Sequence, residues 1–275
     1  MTTFQKVIKY LAMAFAIFLI VTIIGGILNA IGLFGGFFAG DAVTEDMQTY
    51  SVSTDIRNLD IEINAADFYI KEGEAFSVES NLKNLKVDDS DGRLTIRDLT
   101  KNNFFGGNPY GNAVLTIYVP TGTVFGNIHL ITGAGRVTVE SLSAETIDFV
   151  FGAGEVSISS IVATKSADIE GGAGRITISS GALNNLDMDM GVGELNLTSA
   201  LSGECRLDMG IGESNITLIG NKNDYKLELE KGLGSVSVDG KDVSDFGSSG
   251  NGTNTIVIKG GIGAINVKFE DAKTE

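Results

Sequence analysis

Apolar and polar residues alternate along this chain in units that return about every twenty residues. A G-x-G tripeptide marks each unit, and its first glycine falls at seven positions: Gly133, Gly152, Gly172, Gly191, Gly210, Gly232 and Gly261. In each unit the residues five and three before that glycine, and six after it, are apolar. Apolar residues two apart with polar residues between them predict strands with one buried face. We therefore expect each unit to be a strand, a G-x-G corner, a second strand and a short polar return.

A unit of this size cannot bury its apolar face alone, so successive units must stack and close the core of their neighbours. Glycine suits the corner because it takes positive φ and has no side chain to meet the next coil. The predicted fold is all-β: a β-solenoid with coils about 4.8 Å apart, preceded by one transmembrane helix. An antiparallel meander could share the alternation, but it would not need the same class of side chain at the same place in every copy.

The outward positions carry a second pattern. Three residues after the first glycine, Arg136, Glu155, Arg175 and Glu194 alternate in charge. Side chains on neighbouring strands of a sheet pair when they lie directly opposite each other. The alternation therefore predicts a ladder of ion pairs with neighbours one coil apart, which indicates the register of the stack.

The N-terminal segment has a different composition. From Tyr10 to Gly40 no residue is charged, which exceeds the roughly 20 residues that span a bilayer. We expect a cytoplasmic N-terminus at 1–9, an uncleaved transmembrane anchor at 10–32 and a juxtamembrane linker at 33–54.

The charges beside the anchor predict its orientation. Lys6 and Lys9 precede it and acids beginning with Asp41 follow it, which places the N-terminus inside the cell and the bulk of the chain outside. Gly32 and Gly36 form a G-x-x-x-G pair that could join two anchors. The alternative for this pair is a helix end that tolerates glycine.

The β-region divides into two parts. Residues 55–130 alternate less regularly, with a turn expected at residues 64–67, and are predicted to form irregular first coils that cap one end. Residues 131–270 carry the regular G-x-G array. The long last spacing is explained by a flexible insertion expected at 240–254.

A Gly/Asn-rich loop at 101–112 brings three aromatic residues to a surface segment: Phe104, Phe105 and Tyr110. Exposed aromatic side chains on a loop are a common beginning of a binding site. The alternative is that these rings fold back and plug the end of a coil.

The charge balance excludes some partners and suggests others. A net charge of −15 with a pI near 4.5 argues against nucleic acid. Many acids fall two or four residues before the glycines, and the stack would align them in two columns that include Asp168, Glu170, Asp187, Asp189 and Asp208. Two interpretations stay open: a solvated acidic face, and weak Ca²⁺ binding by carboxylate oxygens. No other cofactor is expected.

Few residues suit catalysis. The single cysteine, Cys205, occupies an inward column and is expected to pack in the core, and one cysteine excludes an internal disulfide. His129 is the only histidine, so a nucleophilic triad or a zinc site is not expected. The G-x-G motif opens a strand and not a helix, which excludes a dinucleotide site. We expect a protein that is not an enzyme.

The order of motifs resembles a known bacterial family. After one span come NLDIEINAADFYIKEG, VLTIYVPTGTVFGNIHLITGAGRVTV and repeated GAG-[RE]-[VI]-[ST]-[VI] units. This order is similar to that of the putative-adhesin family of β-strand-repeat envelope proteins, a domain of unknown function. The resemblance implies a right-handed β-solenoid-like ectodomain outside a bacterial cell membrane, with no catalytic residues to carry over.

Two functional hypotheses follow. In the first, the chain is a membrane-anchored, non-enzymatic adhesin-like module that binds an envelope protein or glycan. In the second, suggested by relatives encoded beside envelope-stress signalling systems, it is an accessory regulator that acts through its span and its ectodomain.

Overall fold

The computed structural model describes residues 42–53, 55–100, 111–243 and 246–271, with the backbone alone at 246–249. Short 3₁₀ turns occupy Ser90–Gly92 and Lys222–Asp224. The strands in chain order are β1 Val43–Ser51, β2 Asn58–Gly73, β3 Ser77–Leu82, β4 Leu85–Asp88, β5 Arg93–Asp98, β6 Val114–Pro120, β7 Phe125–Ile178, β8 Gly181–Asn184, β9 Leu186–Ser202, β10 Glu204–Ile219, β11 Tyr225–Glu230, β12 Leu233–Val238, β13 Lys241–Asp242, β14 Phe246–Ser249 and β15 Asn254–Glu270. Among these described residues, no helix has the length and apolar character needed to cross a membrane. The predicted anchor, with Gly32 and Gly36, lies outside the described residues.

The strands form a solenoid-like stack in which coils pair in parallel, one repeat apart. Leu207 of β10 lies opposite Met188 of β9 on one side and opposite Ile258 of β15 on the other. All three side chains are buried, as the inward columns of the sequence predict. Burying a side chain of this size contributes about 1.5–3 kcal/mol. The all-β, solenoid-like prediction is confirmed.

Each coil has three faces, which we name in chain order. The first face precedes the G-x-G corner, the second face follows it, and the third face carries the return. The expectation of a purely polar return is wrong, because Ala163, Leu183 and Leu201 lie opposite one another there and are buried. A coil closed on three sides needs apolar side chains from each side to fill its interior.

Successive coils do not stack in chain order at either end, which corrects the sequence-based expectation. The strand β2 lies between β7 on one side and β5 and β6 on the other. The strand β15 lies between β10 on one side and β11 and β12 on the other. The outermost coils are covered by antiparallel strands, β3 and β4 at one end and β13 and β14 at the other. These strands pair with the backbone groups at the outer edge of each outermost coil. The inner edge of that coil pairs with the first or the last coil of the chain.

Two turn assignments also change. The turn expected at residues 64–67 is a coil corner inside β2, where Ala65 lies opposite Ala134. The segment 240–254 contains all of β13 and β14 and the first residue of β15, and it is therefore more than an insertion loop. The outer edge of the outermost coil, formed by β11 and β12, gives β13 and β14 backbone partners, a tertiary effect that the local sequence does not encode.

Candidate functional site on the outer surface

The predicted acidic columns form on the first face. Asp168 lies opposite Asp187, and Glu170 lies opposite Asp189, which in turn lies opposite Asp208. The parallel register therefore brings together all five acids selected from the sequence. Like charges one coil apart repel, so this arrangement costs free energy unless solvent, ions or a partner compensates it.

The local environment modifies the acidity of one member. Partial burial, followed by the charges of Asp148, Asp187, Glu170 and Asp189, raises the pKa of Asp168 above its ordinary value of 3.8. A raised carboxyl pKa means that the folded protein disfavours the ionised form. The middle of the acidic columns is therefore a point of electrostatic repulsion in the native state.

Basic groups lie at both ends of the acidic columns. At one end, His129 Nδ1 lies 2.7 Å from Asp148 Oδ2. At the other end, Arg206 Nη1 lies 4.0 Å from Asp187 Oδ2 and Lys259 Nζ lies 3.9 Å from Asp208 Oδ1. The half-exposed cations Arg206 and Lys259 offset part of the negative charge at their end of the columns.

The described part of the chain contains no group of three or more His, Cys, Asp or Glu side chains disposed to hold a metal ion. The acids follow one another along the stack, one coil apart, and do not converge on a point. Weak Ca²⁺ binding stays a prediction, and its ligands would be the same five acids.

Cys205 packs in the core as predicted. Its side chain is buried, its Sγ accepts a hydrogen bond from the Leu186 amide at 3.4 Å, and it donates to the Ser202 carbonyl oxygen at 3.4 Å. Burial raises the pKa of the thiol, which lowers its reactivity. A surface depression of about 370 Å³ lies beside it, with polar walls that include Asn185, Asp187, Glu204 and Arg206.

The second face carries the predicted ion-pair ladder. Arg136 contacts Asp67 at 3.4 Å and Glu155 at 3.9 Å, and Arg175 contacts Glu155 at 3.6 Å and Glu194 at 2.9 Å. The alternation of charge predicted this ladder and its register, and both are confirmed. The sequence did not indicate that Asp67 of β2 extends it.

The corner carries a feature that sequence reasoning missed. The middle residue of each G-x-G points away from the core, and the stack aligns these residues in one column. At the C-terminal end the column holds four branched apolar side chains, which we call the corner ridge: Val192, Ile211, Ile262 and Leu233. The exposed fractions of Val192, Ile211 and Leu233 are 51%, 39% and 45%. The signal was present in the sequence as one more aligned column.

The predicted aromatic site at Phe104, Phe105 and Tyr110 lies outside the described residues. The described geometry covers three surface features: the acidic columns, the ion-pair ladder, and the corner ridge between them.

Comparison with known protein families gives a match over most of the chain. The profile of a family described as Toastrack DUF4097 matches residues 53–259. This confirms the resemblance to an adhesin-like domain of unknown function. No curated protein matches the sequence.

Several solved structures are similar to the chain at low identity. A putative cell adhesion protein from Clostridium sporogenes is 16% identical, with 82% of this chain and 99% of that chain covered and a TM-score of 0.31. A putative adhesin from Bacteroides fragilis is 12% identical, with coverage of 82% and 98% and a TM-score of 0.37. A putative adhesin from Parabacteroides distasonis is 14% identical, with coverage of 84% and 99% and a TM-score of 0.40.

Proposed function

This chain belongs to the Toastrack family, and on that premise we propose that it is a non-enzymatic binding module of the bacterial cell envelope. A single membrane anchor at 10–32 holds the stack outside the cell, with the N-terminus in the cytoplasm. The ligand is another envelope protein, which the stack binds through the corner ridge and the charged columns beside it.

The corner ridge carries this proposal. Its four apolar side chains are aligned on adjacent coils by parallel pairing, and three of them, Val192, Ile211 and Leu233, are exposed. Single exposed apolar residues are ordinary, but a contiguous apolar stripe bordered by polar residues is typical of interaction sites. A glycan site would instead need aromatic or polar side chains at the ridge, so a protein partner is favoured.

The charged side chains of the described residues favour binding over catalysis. They pair along the stack axis in the Arg136–Glu194 ladder and at the ends of the acidic columns. General acid–base or nucleophilic catalysis requires such groups to converge on one reacting atom. A flat array of ion pairs provides recognition instead.

Site-specific photo-cross-linking in living cells tests the binding site. A photoreactive amino acid at position 192, on the ridge, is expected to capture a defined envelope protein. The same residue at position 124 is the control, because Val124 is 62% exposed and lies outside the ridge. Identical adducts from both positions, or no adduct from position 192, would contradict the proposal.

Protease treatment of intact cells tests the membrane topology. If the bulk of the chain is outside, an epitope placed after Glu275 is digested without lysis, whereas an epitope before Met1 is protected. Digestion of both epitopes only after lysis would contradict the proposed orientation.

A further inference from the structure

We propose that the corner ridge docks a basic amphipathic α-helix of the partner, lying along the axis of the stack. This inference rests on the proposed function and names the chemistry of its ligand. It is carried by three properties of the described residues: the restriction of the ridge to four coils, the spacing of those coils, and the charge on both sides of them.

The ridge is confined to one end of the corner column. Val192 lies opposite Ala173 on one side and opposite Ile211 on the other. Beyond Ala173 the column continues with alanines, including Ala134, which lies opposite Ala65 of β2. The corner column therefore has large apolar side chains on four coils and small alanine side chains on the others. The difference in side-chain size sets the length of the docking surface.

The spacing of the ridge matches a helix. Four coils span about 14 Å at a strand separation of about 4.8 Å. Apolar residues at positions i, i+3, i+7 and i+10 of an α-helix span about 15 Å and lie on one face. Residues on one face of an extended strand repeat every 6.6 Å or so, and they would lose register with the ridge after one step. A helix of about three turns therefore covers the ridge side chain by side chain.

The borders of the ridge are predominantly acidic. Five carboxylates lie within three residues of it along their coils: Asp189, Glu194, Asp208, Glu213 and Glu230. Two lysines share the strip, Lys231 and Lys259, and Lys259 Nζ lies 3.9 Å from Asp208 Oδ1. A helix with Lys or Arg on both sides of its apolar stripe would complement this charge. An anionic lipid surface, or the ridge of a second copy, would bring negative charge against negative charge.

Binding of designed peptides to the full-length chain tests the inference. The probe is a fluorescent amphipathic peptide of about 14 residues, with Leu at i, i+3, i+7 and i+10 and Lys beside this stripe. One control peptide has the same composition in scrambled order, and another has Glu in place of Lys. Anisotropy titrations should show that the probe binds and that neither control peptide does. The affinity of the probe should fall as the salt concentration rises.

Protein variants locate the site. The exchange Ile211→Ser should weaken binding by about tenfold or more, because it removes a central apolar contact. Val124→Ser, an exchange at an exposed position outside the ridge, should leave affinity unchanged. The double exchange Asp189→Asn with Glu213→Gln keeps the ridge and should reduce both the affinity and its salt dependence. Equal melting temperatures of the variants would show that the fold is retained.

Several outcomes would overturn the inference. These are equal binding of the scrambled or Glu-containing peptide, equal effects of Ile211→Ser and Val124→Ser, and a ridge that mediates self-association in sedimentation experiments. Specific cross-links from position 192 without any peptide binding would overturn the helix and leave the binding module intact. Absence of both the cross-links from position 192 and the peptide binding would overturn the proposed function as well.

Discussion

At the scale of single residues, the second glycine of each G-x-G determines how closely the coils approach. Gly193 has φ of +146°, and a Cβ at this position would collide with the backbone carbonyl of Gly174 in the adjacent coil. We expect Gly193→Ala to lower the free energy of unfolding by about 2 kcal/mol or more, since the backbone must shift and the new residue keeps a strained φ. Urea denaturation measures this loss.

Gly122 is the matched control. It also has positive φ, +79°, but a Cβ there would meet nothing within 4 Å. Gly122→Ala should therefore cost only the backbone strain, about 1 kcal/mol. Equal losses in the two variants would show that contact between coils is not what selects glycine at the corner.

The raised pKa of Asp168 predicts a pH-dependent stability. Because its pKa in the folded state is higher than the ordinary value of 3.8, the folded protein binds the proton more tightly, and ionised Asp168 destabilises the fold. Asp168→Asn should raise the free energy of unfolding at neutral pH, by about 0.5 kcal/mol for an exposed group. The gain should shrink as the pH falls through the raised pKa and should be absent below the ordinary value of 3.8.

Asp88 provides a control of opposite sign. A hydrogen bond from the Ser90 side chain lowers the pKa of Asp88, so its stabilising contribution is present at neutral pH and lost as the pH falls through that pKa. Asp88→Asn should therefore decrease stability at neutral pH. The same sign for both variants in urea denaturation would contradict the assignment of repulsion to the acidic columns.

At the scale of elements, the ion-pair ladder connects adjacent coils of the second face. Arg175 contacts Glu155 and Glu194 on opposite sides. Arg175→Gln should lower the melting temperature slightly, and Arg175→Glu should lower it more, because three carboxylates then follow one another. Added salt should reduce the difference between the variants. A difference that is independent of salt would indicate lost packing in place of lost charge pairing.

The sequence predicted the elements where the repeat is regular. In each repeat, the G-x-G corner is flanked by apolar columns. The period therefore predicts the strands around Leu130, Met188 and Leu207 and their parallel register. The corner of β2 was predicted as an ordinary turn within the irregular first coils because Asn64, Ala65 and Ala66 replace its G-x-G.

The corner of β2 pairs differently from the glycine corners, as far as the described strands show. The strand β5 ends at Asp98 and β6 begins at Val114. Between these residues, no described strand pairs with Ala65 or Ala66 on the side away from Ala134. Alanine at Ala65 and Ala66 is compatible with this pairing of the described strands, and the motif that reveals the repeat is lost.

The candidate sites were predictable to different degrees. The acidic columns and the Arg136–Glu194 ladder follow from sequence alignment alone, because charge at an outward position needs no knowledge of the neighbours. The corner ridge required the stacking order, since Ile262 separates Ile211 from Leu233 although it follows both in sequence. Sequence periodicity therefore identified the columns, and only the topology identified which members touch.

At the scale of the whole molecule, the regular repeat of the sequence suggests that each coil pairs only with its neighbours in sequence. The inserted terminal coils depart from this pattern, because they also pair over longer distances in sequence. Neighbouring central coils pair residues 19 positions apart, as in Asn196 and Asn215, whereas Asn215 and Asn266 of the inserted coil are 51 positions apart. The first coil pairs over 69 positions, between Asn58 and Asn127. Closing these longer loops costs more chain entropy, so we expect the central coils to form first and the terminal coils to dock last.

Removing β15 tests this organisation. In a stack built in chain order, loss of the last coil uncovers one edge; here, loss of residues 254–275 uncovers β10 on one side and β11 and β12 on the other. Hydrogen exchange should therefore show lost protection of backbone amides in all three strands.

Deletion of the edge strand β1 is the control, because in the strand order it lies at the end and neighbours only β3. Its loss should leave β10, β11 and β12 protected. If β10 stays protected after removal of β15, the two sides of the inserted coil are energetically independent, and the terminal coil acts as an ordinary cap. If protection is lost on both sides, β15 links the outer coil, and with it Leu233 of the corner ridge, to the rest of the stack.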